Sequence, residues 1–418
     1  MRNEAEPAGD TGVSGNSGRS GGNSGGGIGL AGLAGYADLP DEILQSILGQ
    51  AAEVASGVRS LFTHLSDRRD LLRTSLVLGG HVRSVQELPA VEAETIAAVD
   101  GGAAVDRNLG SDTALAVAVG IEGLTPQPLA FWSGVQHAFW QRTVPHEGEE
   151  TLATCRGIMA SLELSVLRDA PHDVVFLDGS HLTPVISLNA MLGVRNEVLR
   201  SEIAAAVTEQ RTAEALRTVL TRSNVVALVK YDSSRDLSNT WLEGIRPASG
   251  AGLDDRTTMS LLLEPGEYTE PVSLTLTQQS RSNWLTRQIP ALTPADAARE
   301  TVRAAVNDAI SGARNNQLLA TYYKPHPWSP AYRIEIKKAV AEQPDLLART
   351  LHAVRSQVIS PEIREPYPQW VADRMAKSVS DALIALRTAV HYDLADSGLA
   401  NLISLLSPAR GTAVPLGE

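Results

Sequence analysis

Two segments of this chain repeat one design. IAAVDGG at residues 96–102 and VVFLDGS at residues 174–180 each run an apolar stretch into Asp, then Gly, then a small residue. Short, continuous apolar runs of this kind fit strands buried on both faces. Asp100 and Asp178 are then expected side by side at the mouth of one sheet. Neighbouring carboxylates raise each other's pKa unless a cation lies between them, and an all-oxygen site suits Mg2+ or Mn2+. Gly101 and Gly102 are read as ending or bulging the first strand and as admitting a close neighbour to its backbone. Each Asp alone is equally a turn residue; the pair carries the information.

A third acid lies between them. Glu163, in RGIMASLELSVL, stands four residues after Met159 and three or four before Val166 and Leu167. That spacing puts it on or beside the apolar face of a helix. A Glu there is rarely buried without a partner, the alternative being a stripe-edge residue that reaches solvent. Lys230 ends the run VVALV. A lysine at a strand mouth can contact a scissile phosphate or a neighbouring Asp, or simply snorkel to water. His181 is read as a capping or surface residue and Cys155 as core packing.

The element order follows from periodicity and breakers. Residues 1–36 are a Gly/Ser-rich stretch expected to be disordered. Gly27, Gly29 and Gly32 meet the GxGxxG spacing there, but no strand precedes them. From Pro40, with Asp41 and Glu42 in the first turn, Ile43, Ile47, Val54, Val58, Leu61 and Leu65 predict one long helix or a broken pair over 40–78. Strands are expected at 95–105, 113–121 and 129–140, a helix at 147–168, and a strand ending at Asp178. A long helical stretch at 187–222 and a strand at 224–231 follow. Strand candidates lie at 272–277, 317–323 and 332–336, and helices at 344–358 and 368–395. This is an α/β chain with a mixed sheet flanked by helices, in the order of a ribonuclease-H-like core, with a long N-terminal helix and C-terminal helices.

Composition narrows the class. With 43 % hydrophobic and 20 % charged residues the chain should bury a real core. A net charge of -12 leaves no overall basic footprint for nucleic acid. The single cysteine excludes an intramolecular disulfide framework and cysteine-rich zinc modules, and fits a reducing compartment. No secretory signal pattern opens the sequence, and apolar runs such as 114–121 fall short of the roughly 18–20 residues a membrane helix needs. A cytoplasmic protein with no membrane contact is expected. No GxxxxGK[ST] phosphate loop occurs.

VDGG at 99–102, the helix residue Glu163, LDGS at 177–180, VKYD at 229–232, LLLEPGEYTEP at 261–271 and EPYPQWVADRMA at 365–376 occur in an order that resembles the NurA nuclease family. The resemblance spans about 95–390. It implies that Asp100, Glu163 and Asp178 bind metal, and that Tyr367 and Pro368 stand for the family's Tyr-Pro motif. Where many members have a histidine shortly after that motif, this chain has Asp373, either a further metal ligand or an exposed helical residue. His391 is too far along to replace it. Lys230 and Tyr367 join the acids as candidate catalytic residues. The resemblance further implies Mn2+-favoured hydrolysis of DNA, as exonuclease and single-strand endonuclease. One or two ions would serve, about 3.5–4 Å apart if two.

A homodimer partnering a hexameric HerA-type ATPase is implied too, in DNA repair or antiviral defence, and the missing phosphate loop agrees with a motor supplied in trans. The organisation expected is a tail at 1–36, an N-terminal helical segment for dimer or partner contact at 37–90, the nuclease domain at 91–400 and a tail at 401–418. Rival readings are a catalytically silent adaptor on the ATPase and an actin-like phosphotransfer ATPase, in which DGG and DGS strand ends also occur. Arg195, Arg200, Arg211, Arg217, Arg222, Lys324, Arg333, Lys337 and Lys338 are local basic groups, expected as solvated faces rather than DNA contacts.

Overall fold

A computed structural model describes residues 40–91, 95–108, 110–124, 130–231, 233–242, 253–274, 296–315, 317–403 and 414–415. The expected tail at 1–36 and its glycine motif lie outside the described residues. The chain divides into two compact units, residues 1–59 and 60–418. In the first, helix α1 (Asp41–Gly49) and the opening half of α2 (Ala51–Ser66) carry Ile43, Ile47, Val54 and Val58, all exposed. The stretch expected as one helix or a broken pair is three helices, the third being α3 (Arg69–Leu78).

The second unit is built on one mixed sheet of strands β1 (Val82–Ser84), β2 (Ile96–Arg107), β3 (Asp112–Glu122), β4 (Gln136–Val144), β5 (Val174–Asp178), β6 (Val225–Val229), β7 (Glu267–Thr269), β8 (Val272–Ser273), β9 (Leu318–Lys324), β10 (Tyr332–Lys337) and β11 (Val414–Pro415). Their order is β1-β7-β9-β10-β6-β5-β2-β3-β4, with β8 on β9 and β11 on β2. Parallel pairing is confined to β2–β5 and β5–β6 among the described strands. The antiparallel meander β2–β3–β4 followed by parallel β5 and β6 is the ribonuclease-H-like arrangement. β10, β9, β7 and β1 extend it by antiparallel pairing beyond β6. β1 falls within the segment expected to be helical at 37–90, and β11 within the stretch expected as a C-terminal tail.

Each face of the sheet is covered by helices. α4 (Glu149–Asp169), α5 (Thr183–Leu192), α6 (Glu197–Glu209), α7 (Thr212–Thr221) and α10 (Ala297–Arg314) flank one face. There Ala97, Val99, Val175, Leu177, Val225 and Ala227 pack against Ile158, Leu162, Leu188, Ile203, Leu216 and Val306. The helical stretch expected at 187–222 is thus three helices. Asn196 breaks it by accepting from the N–H groups of Val198 and Leu199 at 3.0 and 3.1 Å, an N-cap worth about 1 kcal/mol. Arg211, in the left-handed region at φ 52°, separates α6 from α7.

Short helices α8 (Asp236–Trp241) and α9 (Asp255–Leu262) pack with α3 on Tyr322 of β9. The opposite face, with Ile96, Ala98, Phe176, Val226, Leu228, Ile334 and Ile336, receives α11 (Lys338–Ala341) and α12 (Pro344–Gln357). Helices α13 (Tyr367–Lys377) and α14 (Val379–Asp396), parted at Ser378 where one helix was expected, cover β2 and β3. Cys155 is buried in the main core, as expected, and burial pushes its thiol up to about 12, so it is inert.

Candidate metal centre

β2 does not end at its glycines. Its pairing with β3 runs without a bulge from Ala97↔Glu122 to Arg107↔Asp112. Asp100 therefore lies inside a strand rather than at its end, which corrects the sequence reading. It is reached because β5 stops: the parallel register closes at Val99↔Leu177, and Asp178 is the last residue of its strand. The mouth of the sheet is the ledge left where β2 outruns its parallel neighbour β5. This is where α/β sheets bind ligands, beyond the carboxyl ends of parallel strands.

The glycines serve close approach. A Cβ on Gly101 would overlap the Glu163 carboxylate, brought up by α4, and a Cβ on Gly102 would overlap the backbone oxygen of Ala376 in α13. Without side chains at these two positions, α4 and α13 deliver their groups to one ledge from opposite faces. Gly102→Ala is expected to push α13 away and lower stability by about 1–3 kcal/mol in urea denaturation.

The acids converge. Asp100, Asp178 and Asp373 each place a carboxylate oxygen within 4.8 Å of the others. Glu163, only 8 % exposed, stands outside that triad, against Gly101 on the α4 side, rather than reaching solvent. Asp373 is 9 % exposed and inside the cluster, not an open helical position. Lys230 follows β6 directly, and its Nζ lies 3.0 Å from Asp178, 2.8 Å from Asp373 and 3.1 Å from Glu365. Lys377 Nζ is 3.0 Å from Asp373. Gln369 donates from its side-chain amide to Asp178.

Charge is unevenly balanced across the site. Burial, then the charges of Asp178 and Glu163, push Asp100 well above the usual carboxylate range. Burial and the charge of Asp178 push Glu163 up to about 8. Burial also raises Asp178, against the pull of Lys230 and the Gln369 amide. Burial opposes ionisation of Asp373 as well, but its bonds from Lys230 and Lys377 win and hold it low. Burial works against the Lys230 cation, and the surrounding carboxylates more than reverse that. Among the described residues no lysine or arginine makes an ion pair with Asp100 or Glu163, although the nearby Lys230 charge pulls Asp100 down in part. Oxygen donors this close and this dry can hold a hard divalent ion.

Other expected residues fall elsewhere. Tyr367 opens α13, and no hydrogen bond or ion pair joins its side chain to the carboxylates among the described residues. His181 is not a surface residue: it is fully buried, with Nε2 3.3 Å from the Val225 carbonyl, and burial lowers its pKa. Several of the basic groups are committed to structure. Arg222 donates to the carbonyls of Leu167, Arg168 and Ala170 at the end of α4. Arg200 pairs with Asp296, Arg217 with Asp308, and Lys324 donates to the Ser260 carbonyl. Arg333 and Lys337 are buried.

Glu365, Gln369 and Lys377 were missed as site residues. The signal was present: Gln369, Asp373 and Lys377 are spaced four apart on one helical face. Beside Lys230 opens a cavity of about 770 Å3, lined by Tyr231, Arg256, Tyr332, Arg364, Glu365 and Gln369 among others.

The sequence matches the NurA domain model over residues 94–378, more than half of the chain. The chain belongs to the NurA domain family. The NurA nuclease from Sulfolobus solfataricus superposes on it with a TM-score of 0.51 at 14 % identity, over 86 % of this chain and 98 % of that one. A structure of NurA with manganese aligns at 10 % identity with a TM-score of 0.47, over 82 % and 98 %. No curated protein matches the sequence. At this identity the Sulfolobus NurA likeness bears on the fold alone. No helix among the described residues is long and apolar enough to cross a membrane.

Proposed function

We propose that this NurA-family chain is a metal-dependent deoxyribonuclease. The observation that carries the reading is the meeting of Asp100, Asp178 and Asp373 within 4.8 Å, with Glu163 behind them, at the carboxyl end of the parallel strands. The proposed metal ligands are Asp100, Glu163, Asp178 and Asp373, a hard oxygen set suited to Mn2+ or Mg2+. A divalent ion bound there polarises a phosphoryl oxygen and lowers the pKa of water.

The chain's own residues do the rest. Gln369 and Lys230 fix the rotamer of Asp178, so its oxygens are preorganised. Lys230 also offers positive charge beside the ledge, where a phosphodiester would approach. The cavity beside it, lined by Arg364 and the exposed ring of Tyr231, is where we place a nucleic-acid strand: a basic group meets a phosphate and an aromatic ring stacks on a base. With a net charge of -12, binding DNA needs only locally placed cations such as Lys230 and Arg364.

The finer reading is an exonuclease and single-strand endonuclease that works as a homodimer with a HerA-type hexameric ATPase in DNA end processing or defence. The lack of a phosphate loop and the exposed apolar stripe of Ile43, Ile47, Val54 and Val58 support an external motor and a partner contact. The silent-adaptor alternative rested on Asp373; its place within the cluster favours the enzyme.

The test is end-labelled single- and double-stranded DNA incubated with purified protein and Mn2+, with and without the ATPase. Cleavage that chelation stops and that Asp178→Ala lacks is the expected result. Wild-type protein inert under both conditions would leave the adaptor.

A further inference from the structure

We propose that Trp328 is a stacking platform for an unpaired nucleobase, and that it holds a single strand a few nucleotides away from the metal centre. The inference rests on the nuclease reading above and concerns what the substrate touches away from the cut. Register places the residue. β10 runs antiparallel to β6 with Arg333 opposite Val229, and β5 runs parallel to β6 with Asp178 opposite Leu228. The turn at 325–331, which joins β9 to β10, therefore leaves the sheet at the same end as Asp178 and Lys230. β10 is two strands from β5, a separation of roughly 10 Å. Pro330 of this turn and Tyr332 just after it line the cavity beside Lys230.

The turn holds a flat ring out to solvent. Pro325, Pro327 and Pro330 each fix a backbone angle. Ser329 donates its N–H to the His326 carbonyl at 3.2 Å, and His326 Nε2 lies 3.1 Å from the Arg355 carbonyl of α12. The His326 imidazole lies flat on the indole of Trp328, with ring centres 4.7 Å apart and planes 6° from parallel. The indole side is nonetheless left open: Trp328 is 43 % exposed, whereas tryptophan is highly buried on average. Every base offers a π-face to such a ring, and a platform that is already rigid loses little freedom on binding. Cations for the flanking phosphates are at hand. Arg355, in the helix that His326 bonds, and Arg364, in the cavity lining, are both exposed. Neither guanidinium makes an ion pair among the described residues. Tyr231, 78 % exposed on the cavity wall, gives the strand a second ring nearer to Lys230.

The experiment measures binding of a labelled single-stranded oligonucleotide to the full-length protein, in EDTA and again in Ca2+. Trp328→Ala and Trp328→Leu are expected to weaken binding by roughly 5- to 100-fold, the scale of one lost base stack. Trp328→Phe should keep most of the affinity, and blunt, fully paired duplex should bind all four proteins alike. A scan with one abasic nucleotide moved along the oligonucleotide gives the decisive readout. At one position the abasic site should weaken the wild type and leave Trp328→Ala unaffected.

Equal affinity of wild type and Trp328→Ala for single strands, or abasic effects that are the same in both, overturns the inference while leaving the nuclease reading intact. So does a fall in the oligomeric mass of Trp328→Ala, which would place the ring between copies of the chain. Wild-type protein that binds no DNA in either condition overturns the nuclease reading, and the inference with it.

Discussion

Glu163→Gln is expected to lower Mn2+-dependent cleavage by about 100-fold or more, the scale seen when metal-site or electrostatic groups are removed. Yet without metal the variant should melt higher than the wild type at neutral pH. Burial and the neighbouring Asp178 charge push Glu163 up to about 8 in the folded chain, against 4.5 as its ordinary value. A group raised in the folded state binds more protons there than when unfolded across that window. Below it both states are protonated and nothing is lost; as pH rises through the window the folded wild type loses stability. Glutamine has no proton to lose.

The difference in melting temperature, variant minus wild type, should therefore grow from about pH 5 to about pH 8. Taking the difference removes Lys337, lowered by burial to about 7, and His181, also lowered by burial, which titrate alike in both proteins. Mn2+ should reverse the order by stabilising the wild type alone. A gap that stays flat with pH would mean that Glu163 is not held in a dry, acidic cluster.

Glu335→Ala should produce the largest loss of stability, about 3–5 kcal/mol, as for other buried charge partners removed singly. Glu335 is fully buried on β10. Arg333 donates to its Oε1 at 2.9 Å, and Ser180 Oγ and the His181 N–H donate to its Oε2 at 2.7 and 3.1 Å. Alanine leaves the buried Arg333 without this partner and frees the turn that follows Asp178. Chemical denaturation should show the loss, and Mn2+ affinity should fall with it. Glu335→Gln, which keeps an acceptor for the turn, should lose less of both. An alanine variant as stable as the wild type would show that Arg333 and the turn find other partners.

Much of the architecture was legible because burial on both faces leaves short, unbroken apolar runs. Residues 174–178 and 225–229 read as strands for that reason, and the sequence order of three strands, helix, strand, helices, strand carried the topology. Helix ends were less legible. The 187–222 stretch is apolar enough throughout to read as one helix, and its division depends on Asn196 capping and on Arg211 adopting a left-handed conformation. The glycines were understood in part. Their small size pointed to a close neighbour, but a strand that continues past them cannot be distinguished from one that stops without knowing how long its partner is.

The site divides the same way. Asp100, Glu163 and Asp178 were singled out because each sits against an apolar pattern that a carboxylate should avoid. Nothing along the chain says that residue 365 or 369 lies beside residue 178, since that nearness comes from α13 crossing β2 at Gly102. His181 misled because a histidine after Asp-Gly-Ser reads as exposed, while α5 folds it inward.

The amino-acid sequence on its own determined which strands are buried and which acids interrupt them, because hydrophobic periodicity is a local property. The tertiary structure alone decided that β2 outruns β5, that α13 lies across the glycines, and that one lysine answers three carboxylates. Those relations depend on register and crossing, and so on atoms far apart in the chain whose distances no local pattern encodes.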